Sequence, residues 1–331
     1  MGVSIKTAIL DDSVSAQIGA RLRTIASPYE RFEDSIVAAH RAFGDLPASL
    51  EQEITTFARC PDSPGVMLVG GLPLDPDLPA TPEGRAVTNR SSFVGEGCLL
   101  GLSRMLGEPI GFLTEKSGDL IHNVTPVAAG AYTQSNQGSK VFLNYHNDTV
   151  YDDGGNYHRY NPDFLVLLCL RADRDGQALT YYVDARDVSR ALAPQDVELL
   201  RQPLYRMAAP STYTREQAGG HRVWSPPYPV LSGPEASPEI SIAANGITAV
   251  TPEAQAALDR LITTFDDPAV HGVVALRPGN ALLIDNRKGL HARSVFEPTF
   301  DGRDRWLLRT YLRRSLWEMR HRTAGRARVY A

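Results

Sequence analysis

Apolar positions recur at helical spacing through the first 110 residues and at strand spacing after that. In residues 31–43, just past Ser27-Pro28, the side chains Phe32, Ile36, Val37, His40 and Phe43 fall near one helical face, which puts His40 at the core or its boundary. Residues 48–60 repeat the pattern with Leu50, Ile54 and Phe57, and residues 92–106 form a third helix that stops at Gly107-Glu108-Pro109. Between these lie a buried strand at residues 65–72 and a Pro-rich loop at 72–82. From Gly111 onward short apolar or alternating runs appear at 141–144, 164–170, 179–183, 272–276, 281–285 and 306–312. Turn signals separate several of them: Asp175-Gly176, Arg277-Pro278-Gly279-Asn280 and Asp301-Gly302. Many short strands punctuated this way predict a mainly β fold with helical additions, a closed or double-sheet core such as a jelly roll flanked by helices. The whole span 1–331 reads as one domain, with a helical part at 1–110 and the β core at 111–320. Residues 211–245, rich in Pro, Gly, Ser and Tyr, interrupt the strands and are expected to form a lid over a site.

Composition narrows the class. With 43% hydrophobic and 22% charged residues the chain is expected to be globular, and a net charge of -4 leaves no basic footprint for nucleic acid. Residues 303–328 are locally basic and read as a solvated face, with Trp306, Tyr311 and Trp317 packing among leucines. Three widely spaced cysteines, Cys60, Cys98 and Cys169, fit neither a disulfide framework nor a zinc site, and Cys169 sits in an apolar run as a small hydrophobe. The first residues, MGVSIKTAILDDS, lack a basic region followed by a long apolar core, and no window approaches 18 uninterrupted apolar residues. A cytoplasmic protein that neither crosses a membrane nor binds nucleic acid is the expectation.

The chemistry concentrates in Asn144-Tyr145-His146-Asn147-Asp148. In an extended chain residues two apart share a face, so His146 and Asp148 point the same way at a strand end. One imidazole and one carboxylate need a third ligand, and two histidines with one carboxylate are the donor set of iron(II) sites that keep open positions. His291 is suitably placed: it follows a turn, a buried strand at 281–285 and a polar loop, which locates it just past a strand end. Arg305 and Arg309 come next, on an apolar stretch, and a guanidinium can donate two parallel hydrogen bonds to a carboxylate. Asp152, Asp153 and His158 form a competing metal cluster, although the glycines among them suit a loop over the site. His158 in that loop and His221 in the insertion are candidate substrate contacts, and Trp224 and Tyr228 are candidates for an aromatic cover. Asp285 reads either as an acceptor behind a metal ligand or as a turn residue.

Two segments together, LNYHNDTVYDDGGNYHRYNPDFLVLLCLRADRDGQALTYYVDARDV and RPGNALLIDNRKGLHARSVFEPTFDGRDRWLLRTYL, resemble the clavaminate synthase-like iron/2-oxoglutarate oxygenases, within the wider TauD-like group. Gly107-Glu108-Pro109, Gly118 and Gln134-Ser135 extend the resemblance over roughly residues 92 to 318. It implies a double-stranded β-helix core, iron(II) held by His146, Asp148 and His291, and 2-oxoglutarate and O2 as co-substrates. It further implies that Arg305 pairs with the distal carboxylate of 2-oxoglutarate beside the Thr180 hydroxyl. Arg309 either assists there or holds a substrate carboxylate, and Gln134 contacts a substrate amino group. The implied activity is hydroxylation of an unactivated C–H bond in an amino acid or an amino-acid-derived natural-product intermediate, releasing succinate and CO2. A cyclic dipeptide or a tethered intermediate is the alternative substrate, desaturation or cyclisation the alternative outcome, and a non-catalytic cupin-like metal protein the alternative class. Asp148 stands where many of these proteins carry Glu, and any carboxylate there disfavours halogenation. Ala243-Ala244-Asn245 lacks the acids that members acting on basic side chains place there, which disfavours arginine and lysine.

Overall fold

A computed structural model describes residues 3–84, 86–151, 160–216 and 219–331. The chain starts with β1 (Lys6–Ile9), α1 (Asp12–Leu22), α2 (Phe32–Ala42), α3 (Ala48–Arg59), β2 (Val66–Gly70) and α4 (Val94–Leu106). Then come β3 (Glu108–Phe112), β4 (His122–Val124), β5 (Leu143–His146), β6 (Phe164–Arg171) and β7 (Thr180–Asp184). A mixed stretch follows: α5 (Ala185–Ala191), α6 (Pro194–Leu200), β8 (Tyr205–Met207), α7 (Ser211–Glu216), β9 (Leu231–Ser232), β10 (Glu239–Ile240), β11 (Ile247–Ala249) and α8 (Pro252–Thr264). The chain closes with β12 (His271–Val274), β13 (Ala281–Asp285), β14 (Gly289–Arg293), β15 (Trp306–Arg313) and β16 (Val329–Tyr330).

Two sheets carry the architecture. The larger runs β1-β2-β13-β6-β15-β3-β16, with β4 also on β15, and the smaller runs β12-β7-β14-β5. Side chains along the central strands divide by parity, as a period of two requires. Phe164, Val166 and Leu168 of β6, with Ala281 and Leu283 of β13 and Trp306 and Leu308 of β15, pack outward on the helices. Leu165, Leu167, Leu282, Ile284 and Leu307 pack inward beneath the smaller sheet, where Tyr182 meets them. Tyr145, Val183, Leu290 and Ala292 of the smaller sheet face away from it, against Leu200, Leu258, Leu261 and Phe265. Each sheet is thus covered outside by helices, and the polar inward residues of β5, β7, β14 and β15 are left to line the space between them.

Helix α4 is buried almost all round because it lies between the other helices and the large sheet. Glycines make the approach possible: a Cβ on Gly101 would stand 2.3 Å from the Phe43 ring. The buried stripe of α2 is Ser35, Ile36, Ala39 and Ala42, so Val37 and His40 are exposed, contrary to the expected face. The stripe follows the helix that α2 packs on, and the small Ala39 and Ala42 let α4 come close where larger apolar groups would not.

Two further expectations change. The insertion is not a lid throughout. β9 pairs with β10, Trp224 bridges to Ala208 and Tyr228 to Tyr205. Val230, Leu231, Ile240 and Ile242 belong to the core beneath α8, because four large apolar groups in short strands need burial. The basic C-terminal stretch is not a uniformly solvated face either. Strand alternation turns Arg305, Arg309 and Arg313 inward, and all three are buried, whereas Trp317 is exposed. Among the described residues no helix is long and apolar enough to cross a membrane.

Candidate metal centre and co-substrate pocket

β5 and β14 are antiparallel neighbours with His146 directly opposite His291. Their imidazoles lie 4.2 Å apart, centroid to centroid. His291 sits in the middle of β14 rather than past a strand end, because the polar residues before it form the tight crossover from the large sheet to the small one. Asp148 lies two residues beyond β5. Its backbone N–H donates to Asn286 Oδ1 (3.0 Å), Asn286 Nδ2 donates back to the Asp148 carbonyl (2.9 Å), and Asn147 Nδ2 donates to the Asn286 carbonyl (2.7 Å). This side-chain and backbone clasp ties the β13–β14 crossover to the ligand loop, so that all three ligand residues are set by the same pair of segments. Asp285 is the turn residue, accepting from the Arg287 N–H and facing Arg314. The supporting role belongs to its neighbour Asn286.

One ligand atom each from His146, Asp148 and His291 lies within 4.8 Å of the others, all three buried. His146 Nδ1 donates to the Asn144 carbonyl (2.7 Å), leaving Nε2 as the ligand atom. Asp148 Oδ1 accepts from Arg309 Nη1 (2.8 Å) and from the Tyr311 hydroxyl (3.2 Å). Its other oxygen, Oδ2, is buried with no hydrogen-bond partner among the described residues and stands 3.8 Å from His291 Nε2. A carboxylate with one oxygen doubly satisfied and the other orphaned among imidazoles is suited to a cation. Burial works against the charged form of Asp148, but the Arg309 guanidinium and the two imidazoles outweigh it and hold the carboxyl below its usual range. Burial, reinforced by His146, pushes His291 down to about 3, so both histidines are neutral and available as donors near neutral pH. The set therefore fits iron(II) on one face, with positions left toward the cavity.

Arg309 is more committed than its sequence position suggests. Besides Asp148 it reaches Glu115 Oε1 (3.2 Å) and donates to His122 Nδ1 (3.0 Å), while His122 Nε2 donates to the Asp119 carbonyl (2.9 Å). Glu115 lines the same cavity, a contact no spacing rule could reach, since it depends on β15 passing beside the β3–β4 connection. Arg305 contrasts with Arg309. It is 6% exposed, lines the cavity, and makes no hydrogen bond or ion pair with any described residue. Thr180 is buried and lines the same space. Arg293, two residues past His291 on the same face of β14, lines it as well. Burial and the nearby Arg305 lower the Arg293 guanidinium to about 9.

Gln134 also lines the cavity, but its amide is engaged with strand β5: Nε2 donates to the Phe142 carbonyl (2.7 Å) and Oε1 accepts from the Asn144 N–H (3.0 Å). Nearby, Asn136 has a buried Nδ2 with no partner among the described residues. His221 is exposed and stands off the cavity lining. Asp152, Asp153 and His158 lie outside the described residues, and the triad is the metal-competent group found among those that are described.

Comparison with known proteins agrees with this geometry. The family described as taurine catabolism dioxygenase TauD, TfdA family matches residues 46–311. L-asparagine oxygenase of Streptomyces coelicolor is 34% identical over 303 residues, 91% of this chain and 87% of that one. Clavaminate synthase 2 of Streptomyces clavuligerus is 32% identical over 274 residues, 81% and 80% of the two chains. An asparagine oxygenase structure with Fe(II), 2S,3S-3-hydroxyasparagine and succinate superposes with a TM-score of 0.85 at 32% identity over 98% of each chain. The resemblance drawn from the motifs holds, and the cupin-like alternative falls with it: the chain belongs to the TauD/TfdA dioxygenase family, and its His146-Asp148-His291 triad fits the iron of a 2-oxoglutarate-dependent enzyme.

Proposed function

We propose that this enzyme hydroxylates an aliphatic carbon of a free α-amino acid whose side chain is uncharged. The observation that carries the reading is the cavity between the two sheets, which joins the metal triad to a buried guanidinium, unpaired among the described residues, on one side and to an acid–base pair on the other. Iron(II) bound by His146, Asp148 and His291 would supply the oxidising chemistry, in which 2-oxoglutarate and O2 give succinate and CO2 and one oxygen atom enters the substrate. The chain's own residues bind, orient and exclude water. Arg305 answers the carboxylate remote from the metal, with the Thr180 hydroxyl beside it. Arg309 and Glu115 present a cation and an anion side by side, which matches the carboxylate and ammonium of a zwitterion, and Gln134 keeps one Nε2 proton for the same end. Apolar Leu167 and Leu307 shield the floor from solvent.

The side-chain end of the cavity is lined by Ser135, Asn136, Thr149, Ser211, Ala244 and Asn245. Among these described residues there is no carboxylate, so a substrate guanidinium or ammonium would lose its hydration without a counter-charge. The unpartnered Nδ2 of Asn136 instead offers a donor to an amide or hydroxyl oxygen. We read the two sheets as the halves of a double-stranded β-helix, the helical first part as its cover, and residues 1–331 as one domain. Three free cysteines, Cys98 and Cys169 buried, suit a reducing cytoplasm.

The test is anaerobic titration of the iron(II)–2-oxoglutarate complex, followed by its visible charge-transfer band, with a panel of free amino acids and small peptides. The reading predicts that a neutral amino acid perturbs the band, whereas arginine and lysine do not. A band that responds to basic amino acids alone, or to cyclic dipeptides alone, overturns it.

A further inference from the structure

We propose that Arg293 is a second cation of the co-substrate pocket, closing with Arg305 on the distal carboxylate of 2-oxoglutarate from the opposite sheet. This rests on the reading of the pocket given above and adds a residue to it. Alternation along β14 sends Leu290 and Ala292 outward to α8 and leaves His291 and Arg293 facing inward. The β14–β7 register sets Arg293 directly opposite Thr180. Arg305 reaches the same cavity from the large sheet, at the residue preceding β15. Two guanidinium groups on facing sheets therefore flank one hydroxyl at one end of the cavity.

Their partners distinguish them from other buried arginines of the chain. Arg309 faces Asp148 and Glu115, Arg313 faces Asp163 and Glu318, and Arg90 faces Glu96. Neither Arg293 nor Arg305 forms an ion pair with a carboxylate among the described residues, and Asp173 acts on Arg305 only through space. Arg293, 5% exposed, donates from Nε to the Ser294 carbonyl (3.2 Å) and from Nη2 to the Val141 carbonyl (3.3 Å), and its guanidinium lies 5.3 Å from the Phe296 ring. Nη1 makes no hydrogen bond to any described residue. Those backbone contacts fix the side chain in place and neutralise none of its charge. Two cations buried together repel one another, and each has lost most of its hydration, so an anion between them stabilises the arrangement. A carboxylate has two oxygens and about four lone-pair sites, enough for Arg305, Arg293 Nη1 and the Thr180 hydroxyl at once.

The rival is a purely structural Arg293 that pins the Val141 segment leading into β5. The two are separated by comparing 2-oxoglutarate with 2-oxobutyrate, which keeps the chelating 2-oxo acid and lacks the distal carboxylate. Dissociation constants are read from the charge-transfer band of the anaerobic iron(II) protein, and succinate binding to the metal-free protein is read by calorimetry. The proposal predicts that Arg293→Gln weakens 2-oxoglutarate by about tenfold or more, the scale of one charge-assisted hydrogen bond. It also predicts weaker succinate binding and unchanged 2-oxobutyrate. Arg293→Lys, which keeps the charge, should retain part of the preference and serves if the Gln variant does not fold. Equal weakening of both oxo acids, or no weakening of either, overturns the proposal. If the unmodified protein binds 2-oxoglutarate no better than 2-oxobutyrate, the pocket assignment beneath it fails instead, and that result differs from either variant outcome.

Discussion

Asn286 carries the geometry of Asp148 without touching the metal site itself: it accepts from the Asp148 N–H and donates to the Asp148 carbonyl. Supporting groups of this kind commonly change metal affinity by about 10- to 100-fold. Asn286→Ala should therefore bind iron(II) that much more weakly, measured by competition with a chelator, while Asp148→Ala should abolish ordered binding. A second residue-scale expectation concerns His122, which burial and Arg309 hold down at about 3 against an ordinary 6.5. Between those values the unfolded chain binds a proton there that the folded chain refuses, so stability rises with pH and is lost as pH falls below 6.5. One such group contributes a slope of up to about 1.4 kcal/mol per pH unit. Denaturation of the metal-free protein at pH 5 and pH 7 should show a pH dependence shallower by up to that amount in His122→Gln. Equal slopes would mean that His122 is protonated in the folded state.

At the scale of elements, the large sheet is legible wherever an unbroken apolar run marks a strand buried on both faces. Residues 164–170 and 281–285 are such runs, and they become β6 and β13 almost residue for residue. The pairing of His146 with Asp148 is legible for a different reason, the two-residue repeat of a strand. Applied to His291, the same repeat finds Arg293. It fails to mark β14 itself, because Gly289-Leu290-His291-Ala292-Arg293 carries only two apolar groups and its other face is functional. Helix α8 has a readable start in Thr251-Pro252, with Thr251 Oγ1 accepting from the Ala254 N–H, but half of its buried stripe is small alanine, Ala254 and Ala257 beside Leu258 and Leu261. The strand β1 is beyond reach: four residues with one buried side chain are decided by their parallel partner β2. Contact between α2 and α4 supplies the test at this scale. Gly101→Val would drive a side chain into the buried Phe43 ring, and overpacking of this sort costs about 1–3 kcal/mol. A lowered melting temperature with unchanged iron affinity is expected, since the helices cover the face of the large sheet that points away from the metal.

For the molecule as a whole, the two sheets divide the work. The small sheet and the ligand loop after it supply His146, Asp148, His291 and Thr180, and β15 with the residue before it supplies Arg305 and Arg309. Sequence order hides this division, because Glu115 and Asn136 reach the cavity only through tertiary packing, and the insertion between β7 and β12 is half scaffold. What the assembled cavity predicts is a coupled reaction on a zwitterion with a neutral side chain. The most direct test supplies the iron(II)-loaded protein with 2-oxoglutarate, O2 and individual free amino acids, and measures succinate together with product mass. The account predicts one neutral amino acid that gains a single oxygen atom, with succinate formed in equal amount and both lost in His291→Ala. Succinate formation that no free amino acid stimulates, or oxygen incorporation that survives loss of His291, would contradict it.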